Sequence, residues 1–233
     1  MISFLRINNK IKLGDYLHYN GTIDNIPSND IIGVCVISSN FLPDGLARFM
    51  SIQQSKSIWG RDINIDNKYK KRLPGKKLDE RISGVLSSNE HTSLISPYLS
   101  DGSFNPDFLI DLPNGNAFQD YKGYENTKKY KKKYGESEEL ENAFSGYFEI
   151  SPSYKKSEWY LPSIGELALL FEKKFLINLA IKMGSKGVVL SNSYYWSSSE
   201  WDSEYAWDVG MYYGYVGDYI KNSNHYVRAF LAL

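Results

Sequence analysis

The residue types that most often do chemistry are sparse in this chain and are not spaced for a known reaction. Its three histidines, His18, His91 and His225, do not lie four residues from one another or from the single cysteine, so no zinc-ligand spacing occurs. That cysteine, Cys35, lies inside an apolar run and is interpreted as a small core residue rather than a nucleophile. The sequence contains no phosphate loop, dinucleotide motif or Gly-x-Ser-x-Gly turn. We therefore expect a protein that is not an enzyme and uses no cofactor or metal.

Length and charge narrow the class of protein further. The chain has 233 residues, and its 27 Lys and Arg balance 27 Asp and Glu. A neutral chain is not expected to bind nucleic acid through its overall charge. No run approaches the ~20 apolar residues that span a bilayer, so membrane insertion is not expected. The first residues lack the apolar core of a signal peptide, which predicts a protein made in the cytoplasm.

Aromatic residues are the unusual feature of the composition. The chain has 19 Tyr, 11 Phe and 5 Trp, together 15% of its residues, and they are concentrated toward the C-terminus. Residues 192–226 combine Tyr and Trp with Ser, Asn, Asp and Gly, a mixture typical of binding surfaces, because rings give rigid contact area and small polar groups give adaptable hydrogen bonds. The alternative is that aromatics simply favour strands. We favour a binding surface because several of these residues alternate with apolar ones.

The elements that would position these residues begin with a β-rich N-terminal region. We predict a strand over residues 11–19, followed by a two-residue hairpin turn at 20–21 and a buried strand over 31–37. A turn at 41–45 then leads to another strand over 47–52. Residues 53–158 are polar and weakly periodic, which predicts long loops with short elements, including a short helix over residues 138–144. The basic runs 68–72 and 128–133 are interpreted as solvated surface rather than as a polyanion site.

Ordered structure is predicted again from Trp159 to the end of the chain. Ser163 and Glu166 form a Ser-x-x-Glu capping box, which predicts a helix over about 163–183 that ends at Gly184. We expect this helix to be buried by an apolar stripe at helical spacing, formed by Leu167, Leu170, Phe171, Phe175 and Leu179.

The last forty residues predict β-structure. Strands are expected over residues 194–199, 206–212, 215–220 and 226–231. In the second of these strands the residue types alternate. Trp207, Val209 and Met211 should lie on one face, with Asp208, Gly210 and Tyr212 on the other.

Several motifs at both ends of the chain carry a resemblance to a known family. The C-terminal ones are Trp159-Tyr160-Leu161-Pro162, Tyr195-Trp196-Ser197-Ser198-Ser199-Glu200, Ala206-Trp207 and Val227-Arg228-Ala229. With them the chain resembles the C-type-lectin-fold domain of phage proteins, of gut-bacterial surface proteins and of the variable proteins of diversity-generating retroelements. The N-terminal segments 14–17, 32–37 and 42–48 resemble the opening of those proteins. Residues 60–150 match poorly and are interpreted as a divergent insert.

The resemblance implies an α+β, C-type-lectin-like fold with a twisted antiparallel sheet, one main helix at about 163–183 and long loops. Residues 1–55 would be an N-terminal β region, either an attachment module or the start of the lectin-like domain. Residues 56–158 would be a loop-rich insert, and residues 159–233 the lectin-like core with the binding face. In that family, adenine-directed mutagenesis diversifies the positions between fixed ones, and this chain carries the residue types that it favours there.

The function that the resemblance implies is binding of a host cell-surface glycan or protein by a phage virion protein on the tail, fibre or capsid surface. Such a protein would leave the cell by lysis, contact other virion proteins and, by analogy with fibre tips, form a homotrimer. The expected ligand-binding residues are Trp201, Asp202, Tyr205, Asp208, Tyr212, Tyr213, Tyr215, Asp218, Tyr219, Asn222, Asn224 and His225.

Two alternatives to ligand binding remain at this point. One is a structural virion component whose aromatic face packs against its neighbours. The other is an oxidase of the formylglycine-generating type, which has the same broad fold. That second alternative is disfavoured, because those enzymes use a thiol site in the C-terminal part and this chain has only Cys35, near its N-terminus.

Overall fold

The computed structural model describes residues 10–59, 120–134, 158–184, 186–200, 204–212 and 214–233. These residues form two five-stranded sheets and two helices, an α+β arrangement. The helices are α1 (Gly123–Tyr134) and α2 (Ile164–Met183). The strands are β1 (Tyr16–His18), β2 (Ile23–Asp24), β3 (Ile31–Ile37), β4 (Arg48–Ser51), β5 (Ser55–Ser57), β6 (Tyr194–Glu200), β7 (Tyr205–Gly210), β8 (Tyr215–Ile220), β9 (His225–Val227) and β10 (Phe230–Ala232).

The first sheet, sheet A, joins the N-terminal strands to the end of the chain. Its strand order is β10-β4-β3-β1-β2, and all neighbouring strands are antiparallel. In the pairing of β10 with β4, Phe230 lies opposite Met50. The predicted N-terminal β region therefore shares one sheet with the last strand of the chain.

The second sheet, sheet B, carries the aromatic C-terminal strands. Its order is β5-β9-β6-β7-β8, with β6 parallel to β9 and the other neighbours antiparallel. Helix α2 packs on the side where Tyr195, Trp207 and Val209 lie, and the same apolar cluster includes Val34 and Met50 of sheet A. The main core thus lies between α2 and the two sheets.

Several N-terminal predictions are confirmed. Strand β3 spans the predicted residues and is buried along its whole length, because both of its faces are covered. Cys35 lies within it, and burial raises the pKa of its thiol, as expected of a core cysteine. The two-residue hairpin turn is wrong. The His18 N–H donates to the carbonyl of Thr22, so three residues lie between them, with Gly21 at a φ of 87°.

The predicted capping box and helix are confirmed, but two of the five residues of the predicted apolar stripe are exposed. Ser163 accepts a hydrogen bond from the Glu166 N–H, and the Glu166 carboxylate accepts one from the Ser163 N–H. Leu167 and Leu170 are fully buried, whereas 79% of Phe175 and 47% of Leu179 is exposed. The helix is apolar around most of its circumference, so spacing alone did not indicate which side meets the core.

The predicted final strand is in fact two strands in different sheets. β9 pairs in sheet B and β10 pairs in sheet A. Arg228 lies between them and is fully buried, and its guanidinium donates to the carbonyls of Ser51 and Gln53 at 3.0 Å each. These bonds satisfy backbone carbonyls at the point where the chain leaves one sheet for the other.

The polar region between the two ends contributes β5 and α1 to the described structure. Lys128 and Lys129 of the second basic run lie exposed on α1, the solvated arrangement that was expected for them. The first basic run and the helix predicted over residues 138–144 lie outside the described residues. Neither α1 nor α2 has the length and apolar character that crossing a membrane requires.

A buried carboxylate joins the separate parts of the fold. Glu166, at the start of α2, accepts hydrogen bonds from the Arg48 guanidinium of β4 and from the Tyr160 hydroxyl, both at 2.9 Å. Burial raises the pKa of Glu166, and the adjacent Arg48 opposes that rise. The first residue of α1, Gly123, approaches so closely that a Cβ there would lie 2.4 Å from the carboxylate. Sheet A and both helices therefore meet at Glu166.

Removing the charge that faces this carboxylate should strongly destabilise the protein. We expect Arg48→Met to lower the free energy of unfolding by about 3–5 kcal/mol, because it leaves a buried carboxylate without its cation. The double variant Arg48→Met with Glu166→Gln should recover part of that loss, since no charge is then left unpaired. Urea unfolding measures both. If the free energy of unfolding of Arg48→Met lies within about 1 kcal/mol of wild type, a stabilising role for this pair is contradicted.

A second ionic contact stabilises the hairpin formed by β1 and β2. The His18 imidazole, on β1, lies between two carboxylates, with Nε2 2.9 Å from Asp24 and Nδ1 2.9 Å from Asp30. Burial alone lowers the pKa of His18, but the hydrogen bonds to Asp30 and Asp24 outweigh it, so the pKa is raised above 6.5. The protonated imidazolium therefore binds both carboxylates at mildly acidic pH.

This contact predicts a pH-dependent stability. His18 stabilises the fold fully below its unfolded pKa of 6.5, and the contribution is lost as pH rises through its raised folded value. The pKa values of Asp24 and Asp30 are lowered, so their contribution is lost only as pH falls below 3.8. Urea unfolding between about pH 5 and pH 9 should show stability falling with pH in wild type. The fall should be smaller in His18→Gln, and equal slopes in the two proteins would contradict the assignment.

Candidate ligand-binding surface

The side of sheet B that faces away from α2 carries the candidate surface. Cross-strand register places Tyr194 beside Gly210, and Trp196 beside Asp208, which in turn lies beside Gly217 of β8. Trp207, Val209 and Met211 belong to the main core, so the predicted alternation along β7 is confirmed. The strand pattern therefore directs a second set of side chains to the side opposite α2, where Trp196 packs in a second apolar cluster and Tyr194 and Tyr219 are half-exposed.

Four aromatic rings meet on this outward side, and we call them the aromatic cluster: Tyr194, Trp196, Tyr219 and His225. The His225 ring stacks on Trp196 with a centroid distance of 4.3 Å and an interplanar angle of 22°. The Tyr194 and Tyr219 rings lie 5.6 Å and 4.8 Å from it. Trp196 is buried, and its indole N–H donates to the Ser57 carbonyl at 3.0 Å. The imidazole thus rests on a fixed platform and contacts both tyrosines.

A buried carboxylate fixes the imidazole in place. His225 Nδ1 lies 2.9 Å from Asp208 Oδ2, and Asp208 is only 1% exposed. Burial raises the pKa of the Asp208 carboxyl, and the adjacent His225 opposes that rise. Asp208, predicted as a ligand contact, is therefore placed beneath the surface, where it positions His225 rather than meeting solvent.

The remaining predicted residues divide by accessibility. Tyr212 is 58% exposed and Tyr219 is 49% exposed. Asn222 and Asn224 are exposed in the segment that leads from β8 to His225. Tyr212 follows Gly210, the cross-strand neighbour of Tyr194, in the turn between β7 and β8. Asn222 and Asn224 therefore lie close to the aromatic cluster along the chain, and Tyr212 comes two residues after the neighbour of Tyr194.

Other predicted residues do not join this surface or lie outside the described residues. Tyr205 packs against the main core, and Asp218 lies opposite the buried Trp207 in the register, so both are on the α2 side of the sheet. Trp201, Asp202 and Tyr213 lie outside the described residues. Tyr215 is described only by its backbone, within β8.

Tyr194 is a surface residue that the sequence did not single out. It is 42% exposed and stacks against His225, whereas its neighbour Tyr195 is fully buried in the core. The signal was present in the sequence, because adjacent strand residues point to opposite faces and Tyr194 precedes a core residue. From the sequence, Tyr194 is predicted only to be the first residue of a strand.

The serines of the Tyr-Trp-Ser-Ser-Ser-Glu motif hold the framework under the surface. Ser197 donates to the Trp207 carbonyl at 2.8 Å, and Ser199 donates to Asp120 at 2.8 Å while accepting from the Ile164 N–H at 3.0 Å. These hydroxyls satisfy buried backbone and side-chain groups between β6, β7 and the two helices. The motif residues therefore act within the fold rather than at its surface.

The end of the same motif carries a buried ion pair. Glu200 Oε1 lies 2.5 Å from Lys221 Nζ, and both side chains are almost completely buried. The ammonium also lies 4.7 Å from the centre of the Trp59 ring. Lys221 directly precedes the exposed Asn222, so the pair anchors one end of the segment that crosses to His225.

The exposed groups of this surface define the contacts it can make. Its exposed groups are phenol rings and hydroxyls, side-chain amides and the edge of an imidazole, which together suit stacking and hydrogen bonding. In the ranges that the structure describes, no group of three or more His, Cys, Asp and Glu residues is arranged to hold a metal ion.

Comparison with known proteins gives a structural neighbour. No protein-family model matches the sequence, and no curated protein matches it. The chain is similar in structure to a fimbrial protein from Bacteroides ovatus, with a TM-score of 0.59 and 16% sequence identity over 95% of this chain. The match covers 49% of the fimbrial chain, so this chain spans about half of its length. At this identity the likeness concerns the fold alone.

The Asp208–His225 pair should contribute measurably to stability. His225→Phe keeps a ring on Trp196 but leaves the buried carboxylate without its partner, so we expect the free energy of unfolding to fall by about 2–4 kcal/mol. Adding Asp208→Asn should recover part of that loss, because the unpaired charge is removed. Urea unfolding of the three proteins tests this. An unchanged midpoint in His225→Phe would show that the pair does not stabilise the surface.

Proposed function

We propose that the protein is a recognition protein of C-type-lectin-like fold that binds a host surface glycan through the aromatic cluster and the exposed residues around it. The observation that carries the proposal is the pair of half-exposed rings, Tyr194 and Tyr219, held on both sides of a fixed imidazole. Rigid rings bind with little loss of side-chain entropy. A surface built this way is ready to bind before a ligand arrives.

A glycan fits this surface by its chemistry. The C–H face of a sugar ring packs against the face of an aromatic ring, and its hydroxyls need donors and acceptors nearby. Asn222 and Asn224 place amide groups beside Tyr219 along the chain, and Tyr212 adds a third exposed ring. A protein ligand is the other outcome that a binding screen would detect.

The lectin-like fold is supported by the places of the motif residues. The Trp159, Trp196 and Trp207 side chains are buried, and the capping box and the serine network lie where sheets and helices meet. These are positions that fix a fold rather than a ligand. The exposed residues Tyr212, Tyr219, Asn222 and Asn224 lie between β7 and β9, outside the motifs.

Display outside the cell is part of the proposal, on a phage virion as the resemblance implies. The structural neighbour is described as a fimbrial protein, which favours a surface setting. Weak binding at each copy would then be strengthened by many copies on one particle.

The test is binding of purified protein to host cells and to a glycan array. Replacing Tyr194, Tyr212 and Tyr219 by Ser should reduce binding at least tenfold, because ring contacts of this kind each contribute on the order of 1 kcal/mol or more. All three side chains are at least 42% exposed, so the fold should be retained, as circular dichroism would verify.

A matched control is available on the other sheet. Tyr19, in the turn between β1 and β2, is 43% exposed, and Tyr19→Ser should leave binding unchanged. Equal binding by wild type and the triple variant would exclude this surface as the recognition site. Loss of binding in Tyr19→Ser as well would indicate a general effect of removing surface tyrosines.

A second candidate function is assembly. The description of the structural neighbour as fimbrial favours a subunit whose aromatic surface packs against another subunit. The two functions differ in the assembled particle, where a recognition surface stays open and an assembly surface is covered. Chemical modification of Tyr212 and Tyr219 in intact particles, followed by mass spectrometry, would separate them.

A further inference from the structure

Helix α2 exposes an apolar strip on the side that faces away from both sheets. Phe175, Leu176, Leu179 and Met183 are 79%, 51%, 47% and 58% exposed. In the same helix Ile177 and Ile181 are almost completely buried in the main core. Isolated exposed apolar residues are ordinary, but four large ones on one side of a helix typically mark an interaction surface.

The strip has the spacing of a helix–helix contact. Glu172, Phe175, Leu179 and Lys182 follow one another at intervals of three, four and three residues, the spacing of a coiled-coil contact line. Leu176 and Met183 lie alongside. We call these six residues the α2 strip. Its charged members, Glu172 and Lys182, stand at opposite ends of the line that contains Phe175 and Leu179.

We propose that the α2 strip binds the α2 strip of a second copy of this chain, with the two helices antiparallel across a two-fold axis. With the axis near Ile177, Phe175 of one copy faces Leu179 of the other. Glu172 then faces Lys182 of the other copy, once at each end. An acidic residue and a basic residue placed symmetrically about the apolar centre make the strip complementary to itself.

Charge complementarity favours this occupant over an unrelated partner. Glu172 and Lys182 are ten residues apart, about 15 Å along the helix, so they do not pair within one copy. Lys182 is exposed and Glu172 is half-buried. Antiparallel packing also sets the opposed dipoles of the two helices side by side. A three-fold assembly would not bring the strip onto itself, so the proposal differs from the trimer expected by analogy.

The exposed area is enough for a weak dimer. A Phe side chain offers about 150–250 Å², and Leu and Met side chains are somewhat smaller. With 47% to 79% of each residue exposed, the four together give roughly 400 Å² per copy, the apolar centre of an interface that polar neighbours such as Lys186 and Glu172 enlarge. We expect a dissociation constant on the order of micromolar. The strip is on the α2 side of sheet B, so dimerisation leaves the aromatic cluster uncovered and is independent of the proposed ligand binding.

The experiment is a charge exchange followed by sedimentation equilibrium of the full chain. Glu172→Lys alone and Lys182→Glu alone each place like charges opposite one another at both ends, and each should weaken self-association about tenfold. Mixing the two single variants should restore association as a heterodimer, because every position then faces its opposite charge. The double variant Glu172→Lys with Lys182→Glu should also associate like wild type.

The outcomes separate cleanly. Restoration in the mixture and in the double variant supports the antiparallel pairing, since neither result follows from a change within one copy. Wild-type protein that is monomeric at several hundred micromolar overturns the proposal. A trimer also overturns it. So does a dimer whose dissociation constant is the same for wild type, the two single variants and the double variant. Circular dichroism of each variant establishes that these surface changes leave the fold intact.

Discussion

The fold depends on one buried carboxylate. Glu166 caps its own helix, accepts the guanidinium of Arg48 from sheet A and the hydroxyl of Tyr160, and lies against the start of α1 at Gly123. A buried charge is tolerated only when its partners are in place, so every element that supplies a partner is constrained to one position. Sheet A and the two helices are set relative to one another by the need to satisfy this group.

The candidate surface repeats that arrangement on a smaller scale. Asp208 is buried beneath His225, and the imidazole in turn rests on Trp196 and touches the two exposed tyrosines. The buried Asp208 and Trp196 thus fix the position of His225, which contacts the exposed tyrosines. Residues at the surface can change in chemical type without disturbing the framework, because the contacts that stabilise the fold are made one layer below. This division suits the recognition role proposed above.

Local patterns in the sequence predicted what is local in the structure. The capping box could be predicted because Ser163 and Glu166 are three residues apart. Alternation along β7 likewise predicted which residues face α2 and which face the opposite side. The contact of Glu166 with Arg48 spans 118 residues and left no local signal. The burial of Asp208 was missed for the same reason, since its partner His225 comes from a strand on the far side of β6. The split of the final strand needed knowledge of both sheets.

The pairing of β4 with β10 has a consequence for how the chain folds during synthesis. Met50 of β4 pairs with Phe230 of β10, which comes 180 positions later in the sequence (230 − 50), so sheet A is completed only after β10 has left the ribosome. Contacts between such distant segments make folding slow, because a long loop must close first. Until then one edge of β4 stays open to other chains. The rate of translation and the help of chaperones should therefore affect the yield of this protein more than its final stability would suggest.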